Sequence, residues 1–243
     1  MKKLFFSIMC TVSIASLNAQ SNLPQAGDQS LQLNALPVIN LVADMFNGTE
    51  GNALNYGTDF TYRKYLSPEK ARTHRFKLGG RGYTNYYNNA SFDTVYTRTL
   101  TYRSFNAEYY WGTEYRKSLN NIQGFIGYEI GGSISGSTIN YDYNISLTSP
   151  DFDGQRPLEY HNYPEIGVGA NFLIGAEYFF ARNFSVGVIF RNGLRLNYDT
   201  GSESKDEFDN RFNEVVLKTT KNPGSFGYDL FSGSFGLNFS WIF

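Results

Sequence analysis

Charged side chains at alternate positions are the residues of this 243-residue chain that could do chemistry. They alternate with apolar residues along several segments, which places them on one face of each predicted strand. Buried charges persist only when they are paired and hydrogen-bonded, so an enclosed face of this kind predicts an ion-pair network. Its predicted members are Asp59, Arg63, Lys77, Arg81, Glu108, Glu129, Glu177, Arg191 and Arg195, and Arg75, Glu114 and Arg116 fall on the same face.

Antiparallel register counted from the predicted turns places Lys77 opposite Glu108, Asp59 near Lys77 and Arg81, and Glu108 near Glu129. Two neighbouring carboxylates could act as general acid and base. A carboxylate beside basic groups is held ionised, however, which is the wrong state for an acid catalyst. We therefore interpret the charged residues as salt bridges and do not expect an enzyme.

Two acidic segments could bind a divalent cation through carboxylate oxygens. Neither has the full D-x-D-x-D-G spacing with its distant Glu, so we interpret both as solvated loops and predict no metal and no cofactor. Their acidic residues are Asp151 and Asp153 in DFDG, and Glu203, Asp206, Glu207, Asp209 and Glu214 in SESKDEFDNRFNE.

The elements that must position these residues begin after an N-terminal export signal. Lys2 and Lys3 precede an apolar run that is followed by Ala19, which is typical of a cleaved secretory signal peptide over residues 1–19. Cys10, the single cysteine, would be removed with it. Residues 20–27 then form a short periplasmic N-terminal segment, and residues 28–243 form one domain.

Eight strand signals fill that domain, at residues 28–46, 54–65, 73–86, 99–116, 121–135, 164–180, 183–198 and 226–243. Short connections (66–72, 117–120 and 181–183) alternate with longer ones (47–53, 87–98, 136–163 and 199–225). Outer-membrane barrels alternate short periplasmic turns with long outer loops in this way. The sequence therefore predicts an all-β fold, an eight-stranded antiparallel transmembrane β-barrel with short periplasmic turns and long extracellular loops. Pro37 suggests a bulge or an edge position in the first strand.

An exported β protein could be either a membrane barrel or a soluble secreted protein. The composition favours the membrane barrel. The mean hydropathy of −0.38 is that of a soluble chain, but aromatic residues make up 17% of the sequence. Lipid-facing barrels have a weak apolar signal, because only alternate residues face lipid, and they carry aromatic girdles at both interfaces. The net charge of −1 argues against nucleic acid as a partner.

The chain resembles the OmpA/OmpX-like small outer-membrane β-barrel proteins. The resemblance rests on the signal peptide, the strand that follows QAGDQSLQL, the IGAEYFF strand with its ARN turn, and the terminal FGLNFSWIF. It implies that the barrel-assembly machinery reads a C-terminal aromatic residue with alternating apolar residues before it, here Phe239, Trp241 and Phe243. The family includes adhesins, evasion factors, lipid-modifying enzymes and many members of unassigned role.

We therefore expect an integral protein of the bacterial cell outer membrane with a structural or surface-interaction role. Charged side chains would close its lumen, since eight strands leave room only for side chains, and its extracellular loops would carry recognition. The expected partners are outer-membrane lipid, the assembly machinery and other proteins of an outer-membrane complex.

Three alternatives remain open. Inward glycines could leave a thin path for a small-solute channel: Gly127, Gly167, Gly169, Gly175 and Gly187. Lipid modification through His161 is a second, although the family's lipid-deacylating pattern has a Ser two residues after the His and this chain has Tyr163 there. His74 is the other histidine and falls at the periplasmic end of the third strand. The last is a soluble barrel with its apolar face inward.

Overall fold

The computed structural model describes residues 22–35, 54–91, 94–143, 155–210, 214–230 and 233–243. In these ranges the chain forms eleven strands: β1 Gln29–Asn34, β2 Leu54–Ser67, β3 Lys70–Ser91, β4 Thr94–Leu119, β5 Ile122–Tyr143, β6 Gln155–Ala181, β7 Phe184–Asp199, β8 Ser202–Asn210, β9 Glu214–Asn222, β10 Ser225–Leu230 and β11 Ser234–Ile242. None of the described residues belongs to a helix long and apolar enough to cross a membrane. The predicted signal peptide and Pro37 lie outside the described residues.

Eight of the strands form a closed antiparallel ring. Strands β1 to β6 each pair with the next strand in sequence, β7 also pairs with β11, and β11 pairs with β1. Strand β11 pairs with the first half of β7, and β10 pairs with its second half. Together, β10 and β11 occupy the segment that was predicted as the eighth strand. The predicted all-β class and its eight antiparallel strands are therefore confirmed.

The ring closes with a stagger between its strands. From Phe184, paired residues lead through Trp241, Leu31, Tyr62, His74, Trp111, Ile130 and Ala170 and return to β7 at Leu194. One circuit thus advances ten residues along β7 (194 minus 184). A stagger of this size in eight strands corresponds to a tilt of roughly 40–45° from the ring axis, within the usual range for closed sheets.

Side chains alternate strictly between the two surfaces of the ring. In β11, Phe235, Phe239 and Trp241 are 59%, 41% and 49% exposed, whereas the intervening Asn238 and Ser240 are buried. Exposed apolar residues recur at alternate positions of β5, β6 and β7, and the residues between them point into the ring. The apolar face is therefore outside and the polar face inside, the reverse of a soluble sheet protein.

Three tight connections define one end of the ring, named here the turn end. They are Pro68–Glu69, Asn120–Asn121 and Arg182–Asn183, each two residues long. The strands thus continue further than the predicted short connections allowed. Asn120 has a φ of 54°, a left-handed conformation that asparagine tolerates better than most residues.

The opposite end differs from the prediction. Strands occupy much of the segments that were predicted as loops at 87–98, 136–163 and 199–225, and β8 and β9 form a hairpin. Strand β8 pairs with the outer part of β6, so this hairpin extends the wall beyond the ring. Because the hairpin carries charged and polar residues on both faces, it lacks the apolar alternation that identifies a strand in sequence. Gly201, immediately before β8, has a φ of 108°, which favours glycine.

Candidate functional site

Two ion-pair clusters occupy the interior of the ring. The first lies near the turn end and consists of Arg63, Glu114, Arg116 and Glu177, named here the turn-end cluster. Arg63 Nη1 lies 2.8 Å from Glu177 Oε1, and its Nε lies 3.0 Å from Glu114 Oε2. Arg116 forms ion pairs with the same two carboxylates. Each cation therefore contacts both anions, and all four side chains are at most 1% exposed.

Neighbouring groups hold the turn-end cluster in place. Gln123 accepts a hydrogen bond from Arg116 Nε at 2.6 Å and donates one to the carbonyl oxygen of Pro68 at 2.9 Å. Ser240 of β11 donates to Glu177 at 3.3 Å. The cluster thus joins β2, β4, β5, β6 and β11, so it ties the closing strand to the wall on the other side of the interior.

Phe125 supports both arginines of this cluster. Its ring centre lies 5.6 Å from Arg63 Cζ and 4.7 Å from Arg116 Cζ, distances at which a guanidinium is attracted to an aromatic face. The same ring covers Gly175 of β6, where an added Cβ would lie 2.4 Å from Phe125 Cζ. Glycine at this position is therefore what allows Phe125 to lie beneath the cluster.

Gly175→Ala is expected to lower the free energy of unfolding by about 1–3 kcal/mol, because the new methyl group overpacks the interior and displaces Phe125. A denaturant titration of the protein refolded in detergent micelles measures the loss. Gly124→Ala is the matched control, since an added Cβ there meets nothing within 4 Å. Equal stabilities for the two variants would contradict the packing role of Gly175.

The second group, named here the central cluster, lies further from the turn end. Its members are Asp59, Arg75, Lys77, Glu108, Glu129 and Arg191. Arg75 Nε donates to Glu129 Oε1 at 3.0 Å, and Lys77 Nζ donates to Glu108 Oε1 at 3.0 Å. Asp59 Oδ2 lies 3.7 Å from Arg191 Nη1 and 3.9 Å from Arg75 Nη1. Arg75 thus stands between three carboxylates.

Both clusters balance their charges. The turn-end cluster contains two arginines and two glutamates, and the central cluster contains three cations and three carboxylates. Every carboxylate contacts at least one cation. The arrangement is therefore suited to filling and bracing an enclosed space.

The predicted network is largely present but differs in two members. The structure brings Asp59, Lys77, Glu108, Glu129 and Arg191 together in the central cluster, and Arg63 and Glu177 in the turn-end cluster. Arg195 instead lies apart, 2.6 Å from Ser133 Oγ and 3.8 Å from Glu165.

Arg81 is exposed, lies over the ring of Tyr83 and pairs with no carboxylate of the described residues. Its partner on β2 is Asn55 and not Asp59, because the register places Asp59 opposite Lys77.

Three residues were left out of the predicted network although the alternation placed them on the inner face. They are Arg75, Glu114 and Arg116, and each contacts at least two members of a cluster. Register between neighbouring strands does not reveal their partners, because Arg63 and Glu177 belong to strands on different sides of the ring. Glu108 and Glu129 are likewise not cross-strand partners, since Glu108 pairs with Ser133, and Arg75 lies between them.

The histidines make separate local contacts. His74 is on the outer face, where its Nδ1 shares a hydrogen bond with Tyr109 Oη at 2.8 Å. His161, near the opposite end, shares one with Thr138 Oγ1 at 2.8 Å. Tyr163, which stands where the lipid-deacylating pattern has Ser, donates to Glu203 Oε2 at 2.7 Å. This hydrogen bond lowers the pKa of the Glu203 carboxyl below its ordinary value.

The acidic segments do not form a metal site within the described residues, where no three His, Cys, Asp or Glu side chains gather as ligands. Glu203 lies 3.4 Å from Lys221 and thus has a cationic neighbour on β9. Asp151 and Asp153 lie outside the described residues.

The sequence was also compared with known proteins. It matches no protein-family model, and the search of curated proteins finds no match.

Proposed function

We propose that the chain is an integral outer-membrane β-barrel protein with a structural or surface-interaction role. The observation that carries this proposal is the inverted alternation of the ring, with apolar side chains outside and paired charges inside. Water on the outer surface would have to solvate a continuous band of exposed aliphatic and aromatic side chains, whereas monomeric soluble proteins rarely expose apolar patches of more than a few hundred Å². A hydrocarbon environment removes that cost.

The outer face also has the layered composition of a lipid-facing barrel. Aliphatic residues such as Ile126, Val168 and Val188 are exposed along the middle of the wall. Aromatic residues lie nearer the turn end, among them Phe184 and Trp241. Aromatic girdles of this kind mark the water interfaces of membrane barrels, and the short turns of such barrels lie on the periplasmic side, so we assign the turn end to the periplasmic side.

The two clusters support a closed lumen, and this favours a structural role over a channel. The inward glycines are covered by neighbouring side chains: an added Cβ would lie 2.6 Å from Glu177 Cγ at Gly187 and 2.7 Å from Asn197 Oδ1 at Gly167. Phe125 covers Gly175 in the same way. The glycines thus accommodate interior side chains, and no observation favours the channel or the lipid-modifying alternative.

Membrane flotation tests the proposal. Protein expressed in a Gram-negative host is expected to float with outer-membrane vesicles in a density gradient, to resist extraction by alkaline carbonate and to dissolve only in detergent. Purified protein in micelles is expected to shift its electrophoretic mobility on heating, as closed barrels unfold. Quantitative recovery of folded protein without detergent would contradict the proposal and favour the soluble alternative.

The C-terminal residues Phe239, Trp241 and Phe243 are proposed as the barrel-assembly signal. Their side chains are exposed on the outer face, while the backbone of Phe243 exchanges two hydrogen bonds of 2.9 Å with Gln29. Phe243→Ala keeps those backbone bonds, so it is expected to lower assembled protein in cells severalfold while leaving refolding in micelles unchanged. Leu33→Ala, an outward residue of β1, is the control. If Phe243→Ala lowers refolding in micelles as much as it lowers assembled protein in cells, Phe243 is only a residue of the aromatic girdle and not part of an assembly signal.

A further inference from the structure

Four cationic side chains gather on the outer face at the turn end. Lys64 of β2, Lys70 and Arg72 of β3, and Lys117 of β4 are all exposed, and they are named here the basic patch. They lie on the face opposite to the ion-pair clusters, because Arg63 and Arg116, their sequence neighbours, point inward. The patch therefore belongs to the surface that the proposed function places against lipid.

The patch lacks a balancing anion. Lys64 and Arg72 are direct cross-strand partners, and like charges in this position repel each other. Glu69 lies in the adjoining turn, yet no carboxylate of the described residues lies within 4.0 Å of any of the four cationic groups. In this respect the patch differs from both interior clusters, in which every cation lies near a carboxylate.

Aromatic rings hold part of the patch in position. Lys70 Nζ lies 5.5 Å from the ring centre of Tyr115, and Arg72 Cζ lies 5.6 Å from that of Trp111. Thr113, the cross-strand partner of Arg72 on β4, is buried. The cationic groups above these rings could contact the anionic headgroup of a lipid molecule. The apolar outer wall beside them could contact its acyl chains.

The rest of the turn end has no such group. Around β6, β7 and β11 the same end carries Tyr178, Phe184, Trp241 and Phe243 on the outer face, with Arg182 as a single cation in the turn. The positive charge is thus confined to one side of the ring, over β2, β3 and β4. Cations spread around the ring would be enough to attract the protein to an anionic membrane surface. Binding one lipid headgroup instead requires the cations to lie close together, as they do here.

We propose that the basic patch binds the phosphate of an anionic phospholipid, whose acyl chains lie along the outward residues of β3 to β5. This inference rests on the proposed membrane insertion. Lysine and arginine near an anionic lipid surface each favour binding by about fivefold, so four together give a preference that a zwitterionic lipid cannot match. The bound phosphate also relieves the repulsion between Lys64 and Arg72.

Native mass spectrometry of the refolded full chain tests the site, with protein taken from micelles that contain equal amounts of phosphatidylglycerol and phosphatidylcholine. The wild-type protein is expected to retain phosphatidylglycerol at least tenfold more than phosphatidylcholine. The variant Lys64→Gln, Lys70→Gln, Arg72→Gln, Lys117→Gln is expected to lose this preference. Added salt is expected to weaken it in the wild type, since the attraction is electrostatic.

Two control variants separate the site from total charge and from folding. Arg81→Gln, Arg103→Gln, Arg182→Gln, Lys221→Gln removes the same charge elsewhere and is expected to keep the preference. Lys64→Arg, Lys70→Arg, Lys117→Arg keeps the charge of the patch and is also expected to keep it, even if the glutamine variant fails to fold. Loss of the preference in either control overturns the assignment.

The remaining outcomes distinguish the inference from the function on which it rests. Protein that inserts into vesicles but retains both lipids equally overturns the lipid site alone, whereas protein that fails to insert into vesicles of either lipid overturns the proposed function. Displacement of phosphatidylglycerol by millimolar inorganic phosphate assigns the patch to free anions and also overturns the lipid assignment.

Discussion

Replacing Glu177 by leucine is expected to lower the free energy of unfolding by about 3–5 kcal/mol, the cost of removing one partner of a buried ion pair. Glu177 is the shared anion of Arg63 and Arg116, both of which are 0% exposed at the side chain. Leucine of similar volume leaves two guanidinium groups with a single carboxylate, Glu114, in an interior that cannot solvate the excess charge. Denaturant titration in phospholipid vesicles measures the change.

A balanced double variant tests the explanation. Arg63→Met together with Glu177→Leu removes one charge of each sign and leaves Arg116 paired with Glu114, so it is expected to cost less than Glu177→Leu alone. Glu165→Leu is the control, because the ion pair of Glu165 with Arg195 is longer, at 3.8 Å, and more exposed, and such pairs contribute at most about 1 kcal/mol. If the loss of stability in the double variant equals the sum of the losses for Arg63→Met and Glu177→Leu measured separately, charge balance does not explain the stability of the cluster.

Ile174→Arg is expected to destabilise the protein by about 2–4 kcal/mol in vesicles, the cost of an arginine on the lipid face near the bilayer centre. Ile174 is 48% exposed, and its direct cross-strand neighbours, Ile126 and Phe190, are both apolar. In water the same change on an exposed strand position would cost about 0.5 kcal/mol or less. The size of the destabilisation therefore shows whether the outer wall at Ile174 is in contact with lipid or with water.

Leu217→Arg is the matched control for Ile174→Arg. Leu217 is 67% exposed on β9, in the hairpin that extends the wall beyond the ring, where the proposed orientation leaves it in water. Its replacement is expected to change the free energy of unfolding by at most about 0.5 kcal/mol. A small effect at Ile174 as well would place the outer wall in water and contradict the membrane proposal.

The faces of the strands could be predicted from sequence, because alternation assigns each side chain to one surface whatever the pairing. Neighbouring pairs could also be predicted, and Lys77 does lie opposite Glu108. Contacts across the interior could not, since the approach of Arg63 to Glu177 depends on the stagger accumulated around the closed ring. That stagger depends on the register of eight strand pairs together, which no single segment contains.

The β8–β9 hairpin and the basic patch show a second limit. Where β8 is buried, its side chains are polar, as at Ser202 and Asp206, so its sequence lacks apolar alternation and resembles a solvated loop. The basic patch lies on the face that alternation assigns to apolar residues, and Lys64 and Arg72 are eight positions apart along the chain. Only their pairing across β2 and β3 makes them a single charged surface.

The seam between β1 and β11 joins the two ends of the described chain, since Ser30 pairs with Ile242. Strand β1 is therefore synthesised long before its partner, and until the seam closes the sheet carries two open edges that can associate with other chains. Closing such a distant contact is slow. A circular permutant that begins within the β8–β9 hairpin, with β1 and β11 linked, would make this seam local and would transfer the distant contact to the pairing of β7 with β11.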